Sequence, residues 1–120
     1  MHQELRLHPR MPTNLPAEMI FSDQLSLDVT MRNLSLGGML VEGDSQLQHA
    51  VDDHRPGFPV EVELHFGLNG LPVSCRCRLI HTRRCSQTLF QMGFKLLSLD
   101  ELSQTLIREY LENYELTRAG

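Results

Sequence analysis

The sequence has no long apolar run and no excess of basic residues, and each absence excludes a class of protein. Its longest apolar stretches are only a few residues, whereas a membrane-spanning helix needs about 20, and its N-terminus lacks the apolar core of a signal peptide. With 11 Lys and Arg against 15 Asp and Glu, the formal net charge is −4, opposite in sign to the basic stripe typical of nucleic-acid-binding domains. We therefore expect a cytoplasmic protein with no membrane span and with neither DNA nor RNA as a partner.

Cysteine is also scarce, since only Cys75, Cys77 and Cys85 are present. A C-x-C pair with one further cysteine lacks the spacing of a zinc ribbon or of a thioredoxin-like C-x-x-C motif. An odd number in a chain without a signal peptide favours free thiols in a reducing compartment. Cys75 and Cys77 are two residues apart in a predicted strand and so share a face, and we expect both to be small core residues.

The sequence contains no recognisable catalytic or metal-binding constellation. The six histidines show no paired spacing such as H-E-x-x-H, no serine lies in a nucleophile elbow, and the paired glycines belong to no phosphate-binding loop. His49 and His54, close to Asp52 and Asp53, could imitate a metal site, but a solvated polar loop is the preferred interpretation. We predict no enzymatic activity, no metal and no cofactor. The alternative is a small enzyme or metalloprotein built on the cysteines and histidines, which stoichiometric zinc in the purified protein would favour.

The pattern of apolar residues predicts one β-rich domain. The chain has 120 residues, of which 41% are hydrophobic and 22% charged, as in a single soluble globular domain. Apolar and polar residues alternate most clearly over residues 60–66, a pattern typical of a half-buried strand. The predicted strands are residues 14–21, 25–32, 38–42, 60–66, 71–82 and 88–97, and residues 43–58 are predicted to be a long polar loop.

The end of the chain predicts an amphipathic helix over about residues 98–116. Ser98 and Glu101 fit a capping box in which Ser98 is the N-cap. Apolar residues then recur at spacings of three and four and form one stripe: Leu99, Leu102, Leu106, Ile107, Tyr110, Leu111 and Tyr114. Because such a stripe must cover something, six strands and one terminal helix predict a small, strongly curved sheet or barrel with the helix against one opening.

The segment around Asn33 and Ser35 is the first candidate site. These polar residues are two apart at the end of a predicted strand, so both point to one side if the extended conformation continues that far. An amide and a hydroxyl beside Gly37 and Gly38 would then form a hydrogen-bonding shelf that a ligand can approach. The alternative interpretation is a simple turn, in which Asn and Ser are favoured and a glycine supplies a positive φ.

A second candidate site is the pair Arg6 and Arg10. Prolines at positions 9, 12 and 16 make a helix there unfavourable, so we expect the arginines on an extended or irregular arm. A guanidinium presents several donors in a fork that suits phosphate oxygens or the O6/N7 edge of guanine. The alternative is a pair of solvated charges on a disordered terminus.

Together, the two segments resemble a known signature. Arg6 and Arg10 form R-x-x-x-R, and Asn33, Ser35 and Gly38 form the later D/N-x-S-x-x-G. This order and interval resemble the PilZ domain, a bacterial receptor for cyclic di-GMP. The resemblance implies a mainly β fold, a small six-stranded antiparallel β-barrel with a C-terminal α-helix packed against it.

The resemblance also implies the roles of individual residues. Arg6, Arg10, Asn33, Ser35 and Gly38 would bind cyclic di-GMP, and the possible supporting positions are Leu5, Gly37 and Gly93. Residues 1–13 would be a flexible arm that carries the arginines and becomes ordered on nucleotide binding, and residues 14–120 would be the barrel domain.

The implied function is that of a stand-alone bacterial receptor or adaptor, as a monomer or weak homodimer, which signals to a protein partner controlling motility, biofilm or secretion. The alternative is a nucleotide-independent PilZ-like adaptor, as in type IV pilus assembly. Two positions depart from the usual pattern. Asn33 stands where the family often has aspartate, and the apolar Leu5 before the first arginine favours one bound nucleotide over a stacked pair.

Overall fold

The computed structural model describes residues 10–56 and 59–119, with side chains as far as Asn113. Within these residues the chain forms six strands, all antiparallel to their neighbours, and two helices. They are β1 (Met11–Ile20), β2 (Ser26–Leu34), β3 (Gly38–Gly43), α1 (Ser45–His54), β4 (Glu61–Leu68), β5 (Leu71–Arg84), β6 (Phe90–Leu99) and α2 (Glu101–Ala119). The strands close into a barrel in the order β1-β2-β3-β6-β5-β4. The predicted fold class, a six-stranded antiparallel barrel with a C-terminal helix packed on it, is confirmed.

The barrel interior is filled by the apolar residues that alternate along each strand. In β4, for example, Val62, Leu64, Phe66 and Leu68 are buried and the residues between them face outward. The inward residues of all six strands form one continuous core with parts of both helices. The largest side chains that are fully buried are Phe21, Phe94, Met19, Met31, Leu34, Met39, Leu47, Leu64, Leu68, Met92, Ile107 and Val41.

Strand β1 begins at Met11, three residues before the predicted start at Asn14. The prediction placed residues 1–13 in an irregular, proline-containing arm, and proline cannot donate a ladder hydrogen bond, yet β1 contains both Pro12 and Pro16. Both prolines lie in the half of β1 that pairs with β2 alone, because pairing with β4 starts only at Ala17. Because no strand of the described chain pairs with the β4 side of this half of β1, the missing N–H donors of the prolines are tolerated there. The other strand ends lie within two residues of the predicted ones.

The predicted polar loop over residues 43–58 was wrong, because its larger part is the helix α1. The carboxylate of Asp44 caps the helix by accepting a hydrogen bond from the Gln46 amide at 2.9 Å. Leu47, Ala50 and Val51 follow at helical spacing, and all three are buried. Three apolar residues are enough to attach this short, otherwise polar helix to the barrel.

His54 at the end of α1 connects the helix to the β1–β2 turn. Its ring stacks on Phe21 with centroids 4.6 Å apart, its Nε2 lies 3.1 Å from Asp23 Oδ2, and its Nδ1 lies 2.7 Å from the Ala50 carbonyl oxygen. Both ring nitrogens thus face acceptors, which suits the doubly protonated imidazolium. The Ala50 carbonyl, and after it the Asp23 and Asp53 carboxylates, raise the pKa of His54 against the effect of partial burial.

This arrangement predicts a stability that depends on pH. Because the folded-state pKa of His54 is raised above its ordinary value of 6.5, the contribution is complete below 6.5 and is lost as the pH rises through the folded-state pKa. We expect the free energy of unfolding, measured by chemical denaturation from about pH 6 to about pH 8, to fall more steeply in the unmodified protein than in His54→Ala. His49→Ala is the control, since His49 is exposed on the same helix. Equal slopes in the unmodified protein and His54→Ala would contradict the prediction.

Helix α2 begins two residues later than the predicted capping box requires. Ser98 belongs to β6, and the cap is Asp100, whose carboxylate accepts from the Ser103 amide at 2.6 Å. The helix packs mainly on β5, with Leu106 and Ile107 buried and Tyr110 and Leu111 partly buried. Leu102 is 62% exposed and does not join the predicted stripe. Neither helix in the described part of the chain is long and apolar enough to cross a membrane.

The prediction that Cys75 and Cys77 are core residues is confirmed. Both are free thiols buried in the barrel, with their sulfur atoms 3.6 Å apart, whereas Cys85 is exposed. The hydrogen bond with Cys75 and the burial of the site both raise the pKa of the Cys77 thiol. A thiol held protonated in this way is a packing group and not a nucleophile.

Candidate functional site

The turn between β2 and β3 is built around the side chain of Ser35. Strand β2 ends at Leu34, so the extended conformation on which the shelf depended stops one residue before Ser35. The Ser35 hydroxyl accepts from the amides of Gly37 (3.0 Å) and Gly38 (3.1 Å) and donates to the Gly38 carbonyl (3.2 Å). Ser35 is only 2% exposed. One donated and two accepted bonds fill the capacity of a hydroxyl, so this group is committed to the turn.

Gly37 and Gly38 fix the same turn against β6. The Gly37 carbonyl accepts from the Leu96 amide at 2.9 Å, and Gly38 pairs with Lys95 in the sheet. A Cβ on Gly38 would lie 2.3 Å from the carbonyl oxygen of Phe94. The close approach of β6 therefore requires glycine at position 38, whether or not a ligand is present.

Asn33 and Arg10 lie next to each other on the outside of the barrel. Arg10 directly precedes β1, and its Nη1 donates to Asn33 Oδ1 across 3.5 Å. The contact joins residues 23 positions apart, because Pro12 and Asn33 are paired in the sheet. The structure thus brings the second arginine of R-x-x-x-R to the asparagine of N-x-S-x-x-G. Leu5 and Arg6 lie outside the described residues.

A β-bulge makes Asn33 accessible. The β2–β3 register shifts between Met31 and Asn33, so that the extra residue, Arg32, and Asn33 are both at least partly exposed. Arg32 donates to the side chain of Asn14 at 2.9 Å and lies 3.8 Å from Glu42. The charge of Arg32 is therefore partly offset, whereas Arg10 has only a neutral amide as its partner among the described residues. No carboxylate within the described residues neutralises Arg10.

The outer face continues from Asn33 across β3 and β6 to β5. In the sheet register Asn33 pairs with Leu40, Leu40 with Gly93, and Gly93 with His81. Sequence reasoning named Asn33 and Gly93 but missed Leu40 and His81. Glycine inside a strand often marks a close approach of another group, and here the group is the imidazole of His81. Identifying His81 requires the register of the paired strands, which no local sequence motif encodes.

The described residues contain no group of three or more His, Cys, Asp or Glu side chains placed to hold a metal ion. His49 is exposed, and the neighbouring His54 is bonded to the Ala50 carbonyl and paired with Asp23. The outer face instead carries the hydrogen-bonding side chains of Arg10 and Asn33 beside the half-buried Leu40.

Comparison with solved structures identifies the same fold in other proteins. The PilZ domain of CeSA from a cellulose synthesizing bacterium matches with a TM-score of 0.63 and 18% identity, over 89% of this chain and 98% of that one. The PilZ domain of Escherichia coli YcgR, solved with c-di-GMP, matches with a TM-score of 0.67 and 14% identity, over 97% and 96%. MrkH of K. pneumonia, solved as its c-di-GMP complex, matches with a TM-score of 0.72 and 12% identity, over 98% of this chain and 55% of that one.

Comparison with curated protein sequences found no match. The family assignment depends instead on the sequence model of the PilZ domain, which matches residues 4–113. That range includes both arginines of R-x-x-x-R, the whole of N-x-S-x-x-G and every strand of the barrel. The chain belongs to the PilZ domain family.

Proposed function

We propose that this protein is a receptor for cyclic di-GMP and that Arg10 and Asn33 form the centre of its binding site. The observation that carries the proposal is the 3.5 Å contact between Arg10 Nη1 and Asn33 Oδ1. It joins the two motifs on one exposed surface, although they are 23 residues apart in sequence. Membership of the PilZ family and the c-di-GMP complexes of YcgR and MrkH support the choice of ligand.

The chemistry of the two side chains fits a guanine dinucleotide. The exposed Arg10 guanidinium can donate in bidentate fashion to a phosphate or to the O6/N7 edge of guanine. The Asn33 amide offers both a donor and an acceptor to a base edge. Arg6, four positions earlier in the sequence, would supply the second guanidinium.

Ser35 and the two glycines act indirectly in this proposal. The Ser35 hydroxyl is fully used by the Gly37 and Gly38 backbone. A direct bond from Ser35 to guanine, the expectation from sequence, would require one of these bonds to break. We assign Ser35, Gly37 and Gly38 to holding the turn that presents Asn33.

Signal output follows from ordering of the part of the predicted arm (residues 1–13) that precedes β1, because the chain from Met11 onward is already paired with β2. A ligand shifts a conformational equilibrium only by its difference in affinity for the two states. Arg10 directly precedes β1, and Arg6 lies four positions earlier in the sequence. A nucleotide bound by both arginines would therefore favour the arm docked on the barrel over the free arm. The docked arm would then be recognised by a protein partner that controls motility, biofilm formation or secretion.

The test is titration calorimetry with cyclic di-GMP, with GTP and the linear guanine dinucleotide as controls. Loss of a charge-assisted hydrogen bond is worth about 1.5–3 kcal/mol, so Arg10→Ala is expected to bind roughly 10- to 100-fold more weakly. Arg6→Ala should behave in the same way, and Asn33→Ala should lose about tenfold. Arg108→Ala, an exposed arginine on α2, is the matched control and should bind like the unmodified protein.

Two results would contradict the proposal. Unchanged affinity in Arg10→Ala and Asn33→Ala, with binding intact, would refute the site. Absence of heat and of thermal stabilisation with the unmodified protein at saturating nucleotide would refute the receptor function and favour the nucleotide-independent adaptor. Circular dichroism of each variant establishes that the barrel is still folded.

A further inference from the structure

A chain of side-chain contacts crosses five strands on the outside of the barrel. Its members are Asn14 on β1, Arg32 on β2, Glu42 on β3, Gln91 on β6 and Arg83 on β5. Arg32 Nη1 donates to Asn14 Oδ1 at 2.9 Å, and its Nε lies 3.8 Å from Glu42 Oε1. Gln91 Nε2 donates to Glu42 Oε2, and Arg83 Nη2 donates to Gln91 Oε1, each at 2.7 Å. These contacts hold the five side chains in place relative to one another.

The amide of Gln91 gives this chain its direction. A guanidinium can only donate hydrogen bonds, so Arg83 requires the carbonyl oxygen of the amide, and the carboxylate of Glu42 accepts from the amino group at the other end. Glu42 thus uses one oxygen for Gln91 and turns the other toward Arg32. Its side chain is only 19% exposed. The carboxylate is therefore held where it can restrain the Arg32 guanidinium.

Arg32 lies where the strand pairing is irregular on both sides of β2. The register shifts there against β3, and it shifts at the same place against β1. Bulges of this kind change the direction in which neighbouring side chains point, and the next residue is Asn33. The guanidinium of Arg32 is held from both sides, by Asn14 of β1 and by Glu42 of β3. Side-chain contacts thus restrain the backbone just where the regular ladder does not.

We propose that Arg32 and Glu42 are positioning residues of the nucleotide site, which hold the β2 bulge so that Asn33 faces the ligand. This inference rests on the proposed binding of cyclic di-GMP. Neither residue has to touch the nucleotide. The Cα of Glu42 is about 8 Å from that of Asn33, because Glu42 is two residues along β3 from Leu40, the partner of Asn33. A carboxylate at that distance would by itself repel an anionic ligand, so its value to the site is the restraint of Arg32.

Replacement of Glu42 separates positioning from a simple effect of charge. We expect Glu42→Ala to bind cyclic di-GMP about five- to tenfold more weakly than the unmodified protein, because Arg32 and the bulge lose their restraint. If charge alone mattered, removal of a carboxylate near an anionic ligand would make binding tighter. The two explanations therefore predict changes of opposite sign. Glu109→Ala, which removes an exposed carboxylate on α2, alters the net charge equally and should bind like the unmodified protein.

A double-mutant cycle tests whether Arg32 and Glu42 act as one unit. We expect Arg32→Ala to weaken binding by about the same factor as Glu42→Ala, and the double variant to bind no more weakly than either single one. Losses that multiply would mean that Arg32 contacts the ligand independently, and would overturn the positioning role. Because exposed ion pairs contribute little to stability, the thermal midpoints should differ by no more than about 5 °C, so the variants are compared in the folded state.

Nuclear magnetic resonance of the ligand-free protein gives a readout that does not depend on binding. In Glu42→Ala the side-chain amide resonances of Asn33 should shift, because the bulge that orients this group is no longer restrained. The backbone amides of Gly37 and Gly38 are bonded to the Ser35 hydroxyl and should keep their resonances. A shift confined to Asn33 distinguishes positioning from general loosening of the barrel, which would move all of these signals.

The outcomes separate this inference from the proposed function. If Arg10→Ala loses affinity but Glu42→Ala binds as tightly as the unmodified protein or more tightly, the positioning role is wrong and the receptor function stands. Unchanged Asn33 resonances in ligand-free Glu42→Ala would refute the positioning role in the same way. If the unmodified protein binds no nucleotide, the receptor function fails and the role assigned to Arg32 and Glu42 in binding fails with it.

Discussion

Replacing Gly38 with alanine is expected to lower the free energy of unfolding by about 3 kcal/mol, the upper end of what overpacking costs. The new Cβ would lie 2.3 Å from the Phe94 carbonyl oxygen and 3.4 Å from the Lys95 Cα. These are backbone atoms of the paired strand β6 and cannot rotate away. Relief requires β3 and β6 to separate where they pair, and this also loosens the Ser35 turn, whose Gly37 carbonyl is bonded to Leu96.

Gly67→Ala is the matched control for Gly38→Ala. Gly67 also lies in a strand, but the nearest atom to an added Cβ is the Leu71 carbonyl oxygen at 3.9 Å, an ordinary contact. Because alanine restricts the unfolded chain more than glycine does, this variant should be neutral or more stable by about 0.5 kcal/mol. Chemical denaturation of both variants measures the difference. Equal stabilities would mean that β6 does not constrain position 38.

The same geometry affects how the proposed nucleotide site should be tested. A loss of binding in a Gly38 variant would reflect a damaged turn as much as a lost ligand contact. Ser35 variants have the same problem, since the hydroxyl is buried and holds Gly37 and Gly38. Arg10 and Asn33 are accessible and hold no backbone group of the barrel, so substitutions there report on binding.

The barrel could be predicted because each strand carries its own signal. Alternation such as that of Val62, Leu64 and Phe66 depends only on neighbouring residues, and five of the six strands begin within two residues of their predicted starts. The early start of β1 was missed because Pro12 lies in the missed part, and a proline in a strand is acceptable only at an open edge. That edge exists because β4 pairs with β1 no further than Ala17, which is a property of the assembled barrel.

Helix α1 was missed because its helical signal is weak. The segment has only three apolar residues at helical spacing, Leu47, Ala50 and Val51. They stand among polar residues, and the segment is bounded by Gly43 and Pro56. The barrel supplies the missing stabilisation by burying all three. Tertiary packing commonly stabilises short helices that are marginal alone.

The site itself was predictable in part. The motif pattern led to Arg10 and Asn33, which are in contact, but it treated Ser35 as exposed when it is buried in the turn. The reason is that strand β2 ends at Leu34, so the alternation that relates Asn33 to Ser35 no longer applies. His81 could not be found, because its relation to Asn33 passes through three strand pairings.

Ile107→Ala is expected to lower the free energy of unfolding by about 2–5 kcal/mol, the usual range for truncation of a fully buried isoleucine. Ile107 is 0% exposed and belongs to the barrel core, so its loss leaves a cavity where α2 meets the sheet. Alanine is the better helix former, but the gain of about 0.5 kcal/mol is too small to compensate.

Leu102→Ala is the control for this prediction, because Leu102 was assigned to the same apolar stripe yet is 62% exposed. An exposed truncation should change stability by no more than about 0.5 kcal/mol. Denaturation monitored by far-ultraviolet circular dichroism measures both variants in one protein background. If they destabilise equally, α2 is held by the stripe as a whole. The large expected difference means instead that Leu106 and Ile107 attach the helix and that its first turn, with Leu102, leaves an apolar side chain open to solvent.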